Sequence, residues 1–326
     1  MENIQEKTIQ EAHFGFPPKP IFVEDKKNWL RKSLINLAIY AFIFVVILNI
    51  ELIYGAAIII VLLVHETGHF LAMKAFKYYN PKLFTLPLLG TFNQSYKDNS
   101  ITQSKMSIII LAGPIPGIII GLLLLVCNSY YPNERLEMLG NIFVGLNFFN
   151  LLPFMPLDGG LLLENLFINH NYIIKLVFTI LSIVLLLLFA IWFRYLFFLI
   201  IPISMVLELI IEFKNQRIRD YLNQEHINCV TTYGDLPDKN YWLIRDCILL
   251  SFNKRYSMVK AGDHQYTIIE GTLMKHVMSI IKSPITSDLK IIGKIVMLLV
   301  LLGFLILPVA YYIPKVLEVV SSSSIH

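Results

Sequence analysis

Residues 58–72 read Ile-Ile-Ile-Val-Leu-Leu-Val-His65-Glu66-Thr67-Gly68-His69-Phe-Leu-Ala. His65 and His69 are four residues apart, so in a helix both imidazoles leave the same face, one above the other. Two neutral imidazole nitrogens at that spacing can hold one divalent metal ion at about 2 Å. Glu66 lies beside them, where a carboxylate can take a proton from water. The flanks Ile58–Val64 and Phe70–Ala72 are apolar, which places this polar cluster in a bilayer. A lone histidine there often serves as a hydrogen-bond partner between helices. Packing does not account for two histidines and a glutamate on one apolar helix; a water-accessible site built around a metal does.

The composition agrees. The chain has 326 residues, 56% hydrophobic and 15% charged, with mean hydropathy +0.64. A water-soluble domain carries about 25% charged residues, so this is the composition of an integral membrane protein. A net charge of +4 does not mark a nucleic-acid binder. Cys127, Cys229 and Cys247 form neither a CxxC pair nor an even framework, which argues against disulfides and against a cysteine metal site. Residues 1–32 are polar and mixed in charge, without a short apolar core and cleavage site, and the first hydrophobic helix is expected to be an uncleaved insertion signal.

Apolar runs predict an all-α polytopic membrane protein with helices near 33–50, 53–73, 106–127, 137–152, 172–191, 195–212 and 291–312. A single helix over 172–211 would be about 60 Å long, twice the hydrocarbon core, so a turn is expected near Phe193–Arg194. The expected organisation is a cytoplasmic N-terminal segment (1–32), a six-helix membrane core (33–212), a small α/β or irregular cytoplasmic segment (213–289), and a seventh transmembrane helix with its tail (290–326). Basic residues set the orientation. Segment 1–32 holds six lysines and arginines, 74–105 holds five, and 214–290 holds eleven. The other connections hold little charge, represented by Glu51, Arg135 and Arg194. With six helices before residue 213, all three basic regions fall on the cytoplasmic side, with the N-terminus. A bacterial inner membrane is the expected location.

In this topology the fourth helix ends on the same side as His65 and His69, at Asn150-Leu-Leu-Pro153-Phe-Met-Pro156-Leu157-Asp158-Gly159-Gly160. A catalytic zinc needs a third protein ligand and an open position. Asp158 is the candidate, because a carboxylate near lipid needs a partner; an exposed acid in a helix-terminal turn is the other reading. Pro153 and Pro156 break the helix and free backbone groups, which is tolerated where chain lines a cavity.

Together these residues resemble the site-2 protease family of intramembrane zinc metalloproteases, peptidase family M50, over roughly residues 33–212. His65-Glu66-Thr67-Gly68-His69 resembles the family's HExxH. Gly113-Pro-Ile-Pro-Gly117 resembles its small-residue element in the next helix, and Asn150 to Gly159 resembles its NxxPxxxLDG signature. The resemblance implies that His65, His69 and Asp158 ligate Zn²⁺, that Glu66 is general base and then general acid, and that Asn150 lies near the substrate or oxyanion. Asn150 could equally cap carbonyls freed by Pro153. Gly113 and Gly117 are expected to permit close helix packing. In the family, the connection after the HExxH helix can guide substrate as a strand; here Lys82–Gln94 could do so, or could be an interfacial loop.

The implied function is a zinc metalloendopeptidase that cleaves a membrane-anchored protein substrate in the lipid bilayer. A prenyl-protein-type protease would take a glutamate as third ligand, which the aspartate of Leu157-Asp158-Gly159 argues against. A metal-binding scaffold or transporter of the same fold is the non-enzyme alternative; it would be favoured by loss of Glu66 or Asp158, and both are present. In the accessory segment, Tyr256–Lys260 and Gln265–Glu270 alternate like a hairpin, and Thr272–Ile281 reads as a short amphipathic helix. Glu208 and Glu212 read as interfacial acids. The remaining histidines, His13, His170, His226, His264, His276 and His326, are scattered and read as solvated.

Overall fold

The computed structural model describes residues 16–21, 50–77, 101–168, 171–193, 199–282 and 285–323. The body of the expected helix at 33–50 and the stretch Lys82–Gln94 lie outside the described residues. The described chain is mostly helical, and its only strands are the two-residue segments Ile101–Thr102 and Ile285–Thr286. In chain order the helices are α1 (Leu52–Ala75), α2 (Gln103–Leu111), α3 (Pro114–Tyr130), α4 (Glu134–Asn150), α5 (Asp158–Leu163), α6 (Tyr172–Phe193), α7 (Ile200–Gln224), α8 (Asp238–Ser251), α9 (Glu270–Ile280) and α10 (Ile291–Ser323). The chain divides into two compact units. One comprises 27–90, 101–204 and 286–326 and is called the membrane unit below; the other comprises 1–26, 91–100 and 205–285 and is called the accessory unit.

Four stretches among the described residues are long and apolar enough to cross a bilayer: α1, Gln103–Tyr130 spanning α2 and α3, Tyr172–Trp192 of α6, and Ile291–Pro314 of α10. Their outward residues are apolar; Leu123, Leu188, Ile191 and Leu299 are each more than half exposed. Such surfaces are unfavourable in water and matched by lipid. The protein is an integral membrane protein.

The helix expected at 106–127 is broken. Pro114 has no N–H and its ring clashes with the preceding turn, so α2 stops at Leu111 and α3 restarts with Pro114 at its first position. The next helix begins at Glu134 rather than near 137, because the Asn133 side chain caps it by accepting from Arg135 N–H at 2.9 Å. Within the apolar stretch 172–211, α6 runs to Phe193 and α7 starts at Ile200; the turn expected near Phe193–Arg194 falls at residues outside the described ones. Helix α7 continues past 212 to Gln224, since charge ends burial in lipid without ending a helix and Glu, Lys, Gln and Arg are good helix formers.

Inside the membrane unit, Ile110, Leu111, Ile118, Leu151, Leu162, Leu166 and Leu301 form one buried cluster joining α2, α3, α5 and α10. The chain between α4 and α5 is irregular, as Pro153 and Pro156 demand. It is tied down where Met155 N–H donates to Ser182 Oγ on α6 at 3.0 Å. After α5 a π-helical turn, Glu164–Ile168, brings Asn165 Nδ2 within 3.0 Å of Gln103 O and of Ser107 Oγ on α2. These bonds fix α5, and with it Asp158, against α2.

The accessory unit has its own core. Tyr241, Ile244 and Ile248 on α8 and Leu273, Val277 and Ile280 on α9 recur at helical spacing and are buried. Helix α9 matches the amphipathic helix read from the sequence. The hairpin does not form: residues 252–269 make turns. The fully buried Arg245 ties this segment down, donating to Asp263 O at 3.0 Å and to Gln265 O at 3.2 Å. Asp246 takes the Gly262 N–H at 3.0 Å. Among its described residues the segment is helices joined by turns, with the short strand Ile285–Thr286 and one bridge between Val230 and Lys282.

Candidate metal centre

Helix α1 sets two imidazoles on its buried face. His65 and His69 are 6% and 3% exposed, and their Nε2 atoms are 3.1 Å apart. Asp158, the first residue of α5, comes to them from the irregular turn after α4. Its Oδ2 lies 3.1 Å from His65 Nε2 and 3.5 Å from His69 Nε2. One ligand atom from each of the three residues fits within 4.8 Å of the others. The carboxylate also sits at a helix start, where the backbone dipole favours negative charge.

The tautomers follow from the other ring nitrogens. His69 Nδ1 is 2.8 Å from the backbone oxygen of Ile109. Ile109 lies in the last turn of α2, where carbonyls lack intrahelical partners, so His69 Nδ1 carries the proton and donates it. His65 Nδ1 is 2.8 Å from Asn147 Oδ1. The Asn147 amide is oriented by its Nδ2, which donates to Phe143 O at 2.7 Å. The oxygen therefore faces His65, and His65 Nδ1 also donates. Both Nε2 lone pairs are left pointing at each other and at Asp158 Oδ2. Among the described residues this buried oxygen has no hydrogen-bond donor.

Three electron-pair donors crowded into a buried space repel unless a cation lies among them. Two imidazoles and a carboxylate, with the outer nitrogens held by oxygens, are the donor set and the outer support of a zinc site. The residues present fit the metal that the motifs imply. Glu66 follows His65 on α1, is partly buried, and lies within Coulombic reach of His65, His69 and Asp158.

Asn150 closes α4 and is partly buried. The asparagine that reaches His65 is Asn147, one turn earlier and 1% exposed. The signal the sequence carries for Asn147 is a polar amide in an apolar helix. Gly113 and Gly117 do more than let helices approach. A Cβ at Gly113 would sit 2.3 Å from His69 Nε2, and one at Gly117 would sit 2.1 Å from Asn147 Nδ2. The two glycines clear space for a histidine of the cluster and for the amide that orients the other. Of the interfacial acids, Glu212 pairs with Arg219. Two histidines read as solvated have partners: His264 Nε2 is 3.0 Å from Asp246 Oδ2, and His276 Nδ1 is 3.0 Å from the Tyr256 hydroxyl.

No curated protein and no solved structure matches the chain. Residues 53–134, which carry His65, Glu66, His69, Gly113 and Gly117, match the model of peptidase family M50, the family whose motifs the sequence resembles.

Proposed function

We propose that this protein is an intramembrane zinc endopeptidase that cleaves the transmembrane segment of a membrane-anchored protein. The reading is carried by one observation: His65 Nε2, His69 Nε2 and an Asp158 carboxylate oxygen converge within 4.8 Å, with both histidine Nδ1 atoms facing oxygens. Zinc held by these residues supplies a Lewis acid and lowers the pKa of a water toward neutrality.

The protein's own residues do the rest. Glu66 takes a proton from the attacking water and later gives it to the leaving nitrogen. A C–O bond forms at the scissile carbonyl carbon, the C–N bond breaks, and the amine leaves protonated. Asn147 and Ile109 hold the histidine rings in one tautomer and orientation. A substrate helix shields its peptide bonds with internal hydrogen bonds, so the segment must unwind locally, and helix-breaking residues near the cut are expected. The orientation, with the N-terminal segment 1–32 and segment 213–289 cytoplasmic around a core at 33–212 and a helix-bearing tail at 290–326, belongs to the same proposal.

The test is quantitative membrane proteomics in the native cell, with wild type compared against Glu66→Gln at equal expression. Accumulation of one or a few uncut single-span proteins only in the variant is expected. Identical membrane proteomes under every stress applied, together with metal flux into vesicles bearing the wild type, would replace the protease reading with a transport one.

A further inference from the structure

The sequence Phe16-Pro17-Pro18-Lys19-Pro20-Ile21 leaves its backbone little choice. Pro17, Pro18 and Pro20 have φ fixed near −65°. Phe16, Pro17 and Lys19 each precede a proline and are driven out of the helical region. The stretch is thus set as a polyproline helix, whose carbonyls have no internal partner.

In the accessory unit these carbonyls are met by aromatic donors. Trp242 Nε1 donates to Pro17 O at 2.6 Å, Tyr266 OH to Pro18 O at 2.6 Å, and Tyr233 OH to Pro20 O at 2.7 Å. Burial raises the pKa of the Tyr233 phenol, and partial desolvation with nearby Asp238 and Glu270 raises that of the more exposed Tyr266, so both remain donors. The Lys19 N–H donates to Asp238 Oδ1 at 2.8 Å. Lys19 Nζ reaches Tyr233 O at 2.8 Å, Gly234 O at 2.9 Å and also Leu236 O, while lying 5.3 Å from the Tyr233 ring centroid. An ammonium has three donors, and three carbonyls take them. Phe16 packs against His264, the two rings tilted by 40° with centroids 4.7 Å apart.

The groove is rigidly backed. The Arg245 guanidinium lies 4.8 Å from the centroid of the Trp242 ring. It is fixed by Glu270, whose Oε1 is 3.1 Å from Nε and whose Oε2 is 3.2 Å from Nη2. Glu270 Oε1 also accepts from the Tyr241 hydroxyl at 2.6 Å. Aromatic-lined grooves that hydrogen-bond proline carbonyls are a recurrent means of reading polyproline segments.

We propose that Tyr233, Trp242, Tyr266 and Asp238, with the carbonyls of residues 233, 234 and 236, form a recognition groove for a proline-rich segment bearing a lysine between prolines, and that residues 16–21 are its ligand in cis. The segment is exchangeable with a peptide of the same chemistry.

The test uses the full chain in detergent and a fluorescent peptide with the sequence of residues 16–21. The wild type should bind it weakly, because the tethered segment competes at an effective concentration in the millimolar range. A Pro17→Ala, Pro18→Ala, Lys19→Ala chain should bind at least tenfold more tightly, and adding Trp242→Phe or Tyr233→Phe should weaken that binding. A peptide with alanine at the lysine position should lose tenfold or more. No saturable binding to the altered chain at millimolar peptide, with α8 and α9 amides still protected from exchange, overturns the proposal. If the altered chain loses that protection, a specific cleavage sequence placed at residues 22–25 of the wild type serves instead. After cutting, the freed N-terminal fragment should remain bound until excess peptide displaces it. Immediate loss of the fragment also overturns the proposal.

Discussion

Asn147 Oδ1 lies 2.8 Å from His65 Nδ1 and orients the ring whose other nitrogen faces Asp158. Outer partners of this kind raise ligand basicity and hold the ring, and their loss costs about 10–100-fold in metal affinity. Asn147→Ala should weaken metal binding within that range. Gly117→Ala should do much the same by pushing the amide away, since the new Cβ would sit 2.1 Å from Asn147 Nδ2. The double variant should be little worse than either single one, because both remove one interaction. Metal titration of the four proteins reads this; additive losses would mean the glycine acts through helix packing alone.

Glu66→Gln and Asp158→Ala should separate chemistry from binding. Glu66→Gln should lower the cleavage rate by about 10²–10⁴-fold while purifying with the same metal content. Asp158→Ala leaves two ligands and should lose metal. Because a ligand that binds only the folded state raises its stability, added zinc should raise the unfolding midpoint of the Glu66→Gln protein and not that of Asp158→Ala. Elemental analysis and thermal melts check both outcomes.

Arg245→Ala should destabilise the accessory unit by about 3–5 kcal/mol, the usual cost of leaving a buried charge unpaired. Arg245 is 0% and Glu270 6% exposed. Removing both charges together with the hydroxyl that donates to Glu270, as Arg245→Met, Glu270→Leu and Tyr241→Phe, should recover most of the loss. Hydrogen exchange of the α8 and α9 amides measures this.

The accessory unit should weaken in acid through His276. Burial, and secondarily the nearby Arg255, lowers the His276 pKa to about 4 from the ordinary 6.5. Between those values the unfolded chain binds a proton that the folded chain excludes, so stability rises with pH there. The contribution is whole above pH about 6.5 and is lost as pH falls toward about 4. Exchange rates in α9 should increase across that window. In His276→Phe the pH dependence should flatten; an unchanged profile would assign it to other groups.

The HExxH spacing, the apolar flanks and the Leu157-Asp158-Gly159 turn made the three converging side chains legible, because helical periodicity and membrane length act on nearest neighbours along the chain. The break before Pro114 falls inside the helix expected at 106–127; by ending α2 at Leu111 it leaves the Ile109 carbonyl to the His69 ring, whose tautomer it fixes. The role of Asn147 is not legible in the sequence, because an amide in a helix looks the same whether it faces lipid, a neighbouring helix or a histidine. The prolines at 17, 18 and 20 dictated their own conformation; that Trp242, Tyr266 and Tyr233 would supply three donors to them depended on residues more than two hundred positions away. The sequence by itself determined which stretches are apolar and helical enough to suit a bilayer and which three side chains are candidates to hold a metal, all governed by local sterics and hydropathy. Only the tertiary structure decided which nitrogen of each histidine holds its proton, why Gly113 and Gly117 cannot carry a side chain, and where the proline segment docks, because each depends on atoms brought together by packing across distant parts of the chain.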